Sequence, residues 1–295
     1  MKNPNQPVRL GIIGSENSHA LRIAEMSNVA AHVPMRVTHI WGETPESRDA
    51  TALKGQIPNV LDDWRAMEGA VDGVMIDHRH GDFHEEPARH FLSLGLPVFV
   101  DKPMTCRLET SLGLVRLAKE HKTPLLTFSS KPLHAAFQSF ARDLRTSGGA
   151  RALHSCGPAN IHSKHGGVFF YGIHQVDAAV EIFGTEAESV ACHVSGKNAV
   201  AVILFSGGRS ATLQLLEDGS PGFHWTAHLD DGRTLSQSDK SDELPYLKSA
   251  QLISDLLEKG EVPFSTARML APVAILEAMA RALESRLMEP VAPLD

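Results

Sequence analysis

Cysteine is scarce: Cys106, Cys156 and Cys192 are the only three in 295 residues, far apart and without a C-x-x-C pair. An odd number at that spacing suggests neither a disulfide framework nor a structural zinc site, and fits a reduced, cytoplasmic setting. Basic charge is also short, with 28 Lys and Arg against 35 Asp and Glu and no basic cluster, for a net charge of -7. That balance argues against nucleic acid as a partner, because such binding needs a basic face that neutralises phosphates. No apolar run approaches a membrane span, the longest being 199–205. Residues 1–7 are polar and proline-bearing with no apolar core behind them, so they read as a short tail and not as a secretion signal. Neither an internal repeat nor a low-complexity tract is present. What remains, 42% hydrophobic and 21% charged, is the composition of a soluble globular protein of one large or two ordinary domains.

The most informative stretch is an apolar run over 8–13 that breaks at Gly14 and continues into a helical pattern from Ser18. Short and rich in β-branched residues, it has the character of a strand buried on both faces of a parallel sheet. Gly14 permits a tight turn, and Asn17 or Ser18 is placed to cap the helix. Strand, turn and helix N-terminus together present free N–H groups and a helix dipole to a phosphate. Against the dinucleotide pattern G-x-G-x-x-G, Gly14 supplies the first glycine while Glu16 and His19 occupy the other two places. The same spacing also suits a βα turn that binds nothing.

The alternation continues. Strands are expected over 35–41, 72–76, 98–100 and 125–129, with helices over 18–29, 45–54, 62–69, 83–94 and 107–121. About six strands in such a series imply a doubly wound parallel sheet with helices on both faces. The second strand ends at Glu43, where an acidic side chain would meet ribose hydroxyls, whereas Arg48 is a potential partner for a 2′-phosphate. The balance leans slightly to NAD(H) over NADP(H). The third buried strand runs into Asp77-His78-Arg79-His80, a polar loop at the edge that lines the crevice of open α/β sheets. The fourth delivers Asp101-Lys102-Pro103 to the same edge. From about residue 151 the grammar changes: 199–205 and 210–216 join through Gly207-Gly208, and 223–229 alternates before Asp230-Asp231-Gly232. Those hairpin signals indicate an antiparallel sheet, covered on one side by helices over 246–259 and 267–287.

Between the halves lies His165-Gly166-Gly167-Val168-Phe169-Phe170-Tyr171-Gly172-Ile173-His174. With Asp101-Lys102-Pro103 and the N-terminal turn, this stretch resembles the Gfo/Idh/MocA family of NAD(P)-dependent oxidoreductases, in order and spacing over nearly the whole chain. The resemblance implies a Rossmann-type domain over 1–128 and a C-terminal α/β domain over 129–295, its open sheet binding substrate and forming homodimers or homotetramers. It implies a hydroxyl or carbonyl of a sugar-like or polyol substrate as the reacting group. Lys102 falls in the catalytic-lysine place and His174 in the catalytic-histidine place. Three departures stand out: the motif aspartate is Phe170, the loop by the nicotinamide is Asp77-His78-Arg79-His80, and two fingerprint glycines are missing.

Lys102, His174 and Tyr171 are thus the expected catalytic groups. A neutral imidazole is a competent base at neutral pH, and an ammonium stabilises a developing alkoxide. Asp177, one turn beyond His174, is placed either to orient the imidazole or to lie on the helix surface. Substrate is expected at Lys102, His162, Tyr171 and His174, and the dinucleotide at Gly11, Gly14, Ser15, Glu16, Asn17, Ser18, His19, Glu43, Asp77, His78, Asp101 and Lys102. No metal is expected, although His78-x-His80 with His84, or His162-x-x-His165 with His174, offers a zinc alternative. A non-redox lyase or isomerase, and a binding or regulatory protein without cofactor, are the competing functions.

Overall fold

The structure, a computed structural model, describes residues 6–217, 222–239 and 243–294. Its first half alternates β1 (Val8–Ile13), α1 (Ser18–Ala24), β2 (Met35–Trp41), α2 (Pro45–Lys54), β3 (Asn59–Val60), β4 (Gly73–Ile76), α3 (Glu85–Ser93), β5 (Val98–Val100), α4 (Leu108–His121) and β6 (Leu125–Thr127). The strands form one parallel sheet in the order β3-β2-β1-β4-β5-β6. Leu10, Ile12 and Ile13 are fully buried, as helices on both faces require of a central strand. The strand order reverses at β1, so the crevice for a ligand opens beyond the carboxyl ends of β1 and β4.

After α5 (Ala135–Thr146) the second half contains β7 (Ala152–Pro158), α6 (Phe169–Phe183), β8 (Ala187–Ser195), β9 (Asn198–Phe205), β10 (Arg209–Leu216), β11 (His224–His228), β12 (Thr234–Ser238), α7 (Leu247–Lys259), α8 (Thr266–Ser285) and β13 (Glu289–Pro290). Its sheet runs β12-β11-β7-β10-β9-β8-β13 and is antiparallel except where β7 pairs with β10. Ala199, Ala201, Ile203, Ala211, Leu213 and Leu215 bury one face, against which α6 and α8 pack.

Several expected elements take another form. The helix expected over 18–29 is interrupted by a π-turn at Glu25–Val29, where the Ser27 hydroxyl bonds back to the carbonyls of Ile23 and Ala24. The helix expected over 62–69 is a single 3-10 turn, Trp64–Met67. It is capped by Asp63 and followed by Gly69 at φ +68°. Strands β7 and β8 carry few large apolar residues, and the packing explains why in β7: a Cβ at Gly157 would lie 2.3 Å from the Phe223 ring.

Candidate active site

At the end of β1 the chain turns at Gly14, φ +107°, where a Cβ would come within 2.9 Å of the Asp77 and His78 backbone. Only glycine lets these strand ends approach so closely. Gly11 has a different part: buried within β1, it makes room for Met67, whose sulfur would lie 2.5 Å from an added Cβ. It therefore packs the strand and does not face the crevice.

Capping of α1 also departs from expectation. Asn17 occupies the N-cap but its side chain makes no capping bond, and Ser18 is exposed. Asp77 caps from across the crevice, accepting from the Ala20 N–H at 2.7 Å. Asn17 is drawn elsewhere: its Nδ2 donates to Asp77 Oδ1 at 3.0 Å and to Asp101 Oδ2 at 2.8 Å. His19 Nδ1 lies 2.9 Å from Asp101 Oδ1, and Lys102 Nζ lies 3.3 Å from Asp101 Oδ2. A histidine in the third fingerprint position thus ties α1 to the end of β5.

The two carboxyls of this network diverge electrostatically. Burial, and then the Asp101 charge, pushes Asp77 well above the ordinary carboxyl range. Burial opposes ionisation of Asp101 too, but His19 and Lys102 beside it bring it below that range. One proton shared unequally between neighbouring carboxyls is the consequence. His19, Asp77 and Asp101 bring ligand atoms within 4.8 Å of one another, yet donors of the chain already fill those oxygens. Asp77 is 0% and Asp101 3% exposed, so both, expected among cofactor ligands, are internal scaffolding. The histidine trios are not assembled either. His84 faces the carbonyls of His78, Pro103 and Met104, pinning the loop after β4 to the loop after β5.

The turn keeps the features of a nucleotide site in altered form. Glu43, just past β2, accepts from the Ser15 N–H at 2.8 Å and the Glu16 N–H at 3.3 Å. Its carboxylate is thereby fixed at the place where ribose hydroxyls are met. The Glu16 carboxylate acts on His165 in the opposing loop, so it is Glu43 that covers the turn amides. Arg48, the candidate for a 2′-phosphate, is committed to Asp49 at 2.9 Å and Asp62 at 2.7 Å. Next to the turn, the His78 ring stands near Trp41 and Phe83, its Nδ1 buried without a partner, and burial lowers its pKa to about 3. An acidic side chain past β2, the turn it caps and a flanking aromatic are groups that a dinucleotide could use, provided its phosphates displace the Glu43 carboxylate from the Ser15 and Glu16 amides.

The opposite wall comes from α6. His174, 5% exposed, holds Nδ1 2.8 Å from Ser129 Oγ, and its Nε2 makes no hydrogen bond within the described residues. Burial first, then the charges of Lys102, His19 and Lys131, lowers its pKa well below the ordinary imidazole value. The ring is therefore neutral at physiological pH. Asp177 fulfils neither expectation: it is buried and does not touch His174. It accepts from the Ser129 N–H at 3.1 Å and pairs with Arg268, which also reaches Glu181 at 3.3 Å. Thus Asp177 fixes the loop whose hydroxyl fixes the imidazole. Phe170, in place of the motif aspartate, lays its ring 5.5 Å from Lys102 Nζ, so the ammonium has Asp101 as its carboxylate partner. Tyr171 is 39% exposed beside His174, ring centroids 5.6 Å apart. His162 is exposed, and no contact ties it to Lys102 or His174.

Ser129 and Arg79 were not among the expected site residues, and His165 was named as a ligand only in the zinc alternative. Ser129 follows a strand in a serine pair that spacing does not distinguish from a turn, and Arg79 stood in the loop already flagged as polar.

Fold and site define a two-domain α/β protein: a Rossmann-type sheet whose edge presents a lysine to a histidine from an open, mostly antiparallel second domain. Residues 8–128 match the family model GFO_IDH_MocA, an oxidoreductase family with an NAD-binding Rossmann fold. Over this domain the chain is similar to the Gfo/Idh/MocA oxidoreductases. No curated protein matches the sequence. Solved structures share the fold at low identity. Apo scyllo-inositol dehydrogenase from Lactobacillus casei is 14% identical with a TM-score of 0.84, over 98% of this chain and 99% of that one. Myo-inositol 2-dehydrogenase from Lactobacillus plantarum is 14% identical with a TM-score of 0.81, over 97% and 100%. An oxidoreductase from Agrobacterium radiobacter, in complex with NAD+, L-tartaric acid and magnesium, is 16% identical with a TM-score of 0.78, over 97% and 99%. Among the described residues no helix is long and apolar enough to cross a membrane.

Proposed function

We propose that the protein is an NAD(H)-dependent oxidoreductase that interconverts a hydroxyl and a carbonyl on a polyol or sugar-like substrate. The observation that carries this reading is the meeting of Lys102, 4% exposed, with a neutral His174 whose Nδ1 is held and whose Nε2 is left for a ligand. Glu43 and the turn at Ser15 and Glu16 would hold the dinucleotide, which when bound accepts or donates the hydride. The chain's own groups do the rest. Lys102 holds the substrate oxygen and stabilises charge that develops on it, and His174 exchanges the hydroxyl proton at Nε2. Ser129 keeps the imidazole oriented, and the low exposure of both groups excludes water from the reacting centre. Tyr171 at the mouth adds a hydroxyl to substrate binding.

Glu43 at the ribose position and an Arg48 paired with Asp49 and Asp62 support NAD(H) over NADP(H). The inositol dehydrogenases of similar fold support a polyol as substrate. The half-buried Val200, Val202 and Leu204 on the second face of the open sheet support assembly into homodimers or homotetramers there, which light scattering measures. A setting in the cytoplasm accords with three free cysteines.

Fluorescence titration with NADH tests the reading: saturable binding is expected, with NADPH at least about tenfold weaker because Glu43 repels a 2′-phosphate. One observation favours a second reading, a binding protein without cofactor: carboxylates of the chain, Glu43 and Asp77, already occupy the amides of Ser15, Glu16 and Ala20. Absence of NADH binding at millimolar concentration would select it.

A further inference from the structure

Arg79 stands in the loop after β4, between His78 and His80. Its Nε is sealed from solvent without a hydrogen-bond partner, and no carboxylate pairs with its guanidinium among the described residues. Other arginines of this chain do not behave so: Arg48, Arg89 and Arg151 each meet a carboxylate within 2.9 Å. Nor are carboxylates missing from the neighbourhood. Asp77 is committed to Ala20 and Asn17, and Asp101 to Asn17, His19 and Lys102. A buried guanidinium N–H left without an acceptor costs stability in the free protein, and an anion with paired oxygens matches the planar fork it belongs to.

The surroundings say what kind of ligand would bring that anion. Arg79, Lys164, His80 and Glu16, from facing loops, all lie near enough to His165 for their charges to act on its imidazole. The two loops are neighbours there, since a Cβ at Gly166 would lie 3.6 Å from the His80 ring. From His165 the contacts lead inward: its ring lies 4.9 Å from Phe170, whose own ring lies 5.5 Å from Lys102 Nζ. A ligand that reaches from Arg79 past His165 would follow this line of rings toward Lys102.

We propose that Arg79, flanked by His80, Lys164 and His165, is an anion site that takes a carboxylate or phosphate of the ligand occupying the Lys102–His174 cleft. The proposal rests on the oxidoreductase reading for the identity of that ligand, and two sources share the chemistry. One is the diphosphate of the dinucleotide, for which Arg79 would supply the attraction that Glu16 removes. The other is an acidic group on the substrate, which would make the substrate a sugar acid and not a neutral polyol.

Wild type, Arg79→Gln and Arg79→Lys are each titrated with NADH by fluorescence and, separately, melted in gluconate and in its neutral counterpart glucitol. NADH affinity reduced roughly 10- to 100-fold in Arg79→Gln, with Arg79→Lys between, assigns the anion to the diphosphate. Unchanged NADH affinity, with a stabilisation by gluconate over glucitol that Arg79→Gln abolishes, assigns it to the substrate. Responses of Arg79→Gln equal to wild type for both ligands overturn the site. A wild type that ignores NADH but shows the Arg79-dependent gluconate effect sinks the redox reading and keeps the anion site. Without ligand, Arg79→Gln is expected to melt no lower than wild type, because no partner is lost, so a folding defect would not mimic the result.

Discussion

The two walls of the cleft handle polar groups in opposite ways. On the parallel-sheet wall Asn17, His19, Ala20, Asp77, Asp101 and Lys102 bond to one another almost without exposure. On the facing wall, and in the loop that meets it, Arg79 Nε and His174 Nε2 have no partner and Tyr171 stands open. The first wall is rich in charge, yet its bonds close on themselves except at Lys102, whose ammonium also lies 5.5 Å from the Phe170 ring of the facing wall. Polarity at a sheet edge therefore does not by itself mark a ligand site. What marks it is a polar group that the chain positions and then leaves unfinished.

The largest effects are expected from removing the groups that the two walls direct at one another. Lys102→Ala and His174→Ala are each expected to lower turnover by roughly 10²- to 10⁴-fold, measured with NAD and a panel of polyols and sugar acids, with circular dichroism unchanged. Near-normal turnover in either variant removes that residue from the chemistry. Next in size is Asp101→Ala, which acts on the closed wall and should register as stability. It leaves His19, Asn17 and Lys102 facing a void, at a cost of about 3–5 kcal/mol in chemical denaturation. The folded pKa of Asp101 lies below its unfolded value, so its stabilisation is present above about pH 4 and is lost as pH falls through the folded value. A loss under 1 kcal/mol would mean that the network carries little.

The parallel sheet was legible in the sequence because 8–13, 35–41, 72–76 and 98–100 are apolar runs ended by turn residues, and period and length distinguish such strands. Lys102 and His174 stood out through their motifs, and in the structure the Lys102 charge acts on the His174 imidazole. The closed network was not. Asp77 and Asp101 are 24 residues apart in sequence and meet only because β4 and β5 are neighbours, and no local pattern says that Asn17 abandons its helix to bridge them. Asp177 illustrates the same limit: helical spacing put it beside His174, whereas Arg268 from α8 and the Ser129 amide claim it. Long-range partners decide the duty of a buried polar group, and a single sequence does not list them.

Two smaller effects sharpen the contrast. His78 is held neutral by burial, its pKa lowered to about 3 between the Trp41 and Phe83 rings. Because the folded value lies below the unfolded one, its contribution is complete above about pH 6.5 and lost as pH falls toward 3. His78→Phe should keep the packing and flatten the decline of stability over that interval; an unaltered acid limb would assign the decline to the other depressed imidazoles, His84 and His174.

The smallest change is expected at Asp77, and it separates the paired carboxyls most cleanly. Its raised pKa means that the proton belongs to Asp77 while Asp101 carries the charge. A carboxyl with a raised folded value contributes stability below its unfolded pKa and loses it as pH rises through the folded one. Asparagine imitates the protonated form, and its Oδ1 still accepts from the Ala20 N–H, so Asp77→Asn should cost at most about 1 kcal/mol near neutrality. Asp101→Asn, which removes the carboxylate paired with Lys102, should cost several times more. Denaturation at pH 5 and pH 8 supplies the second check, since Asp77→Asn should gain on wild type at the higher pH. An equal loss at both values, or a cost matching that of Asp101→Asn, would show Asp77 ionised in the folded protein and the proton placed on the wrong member of the pair.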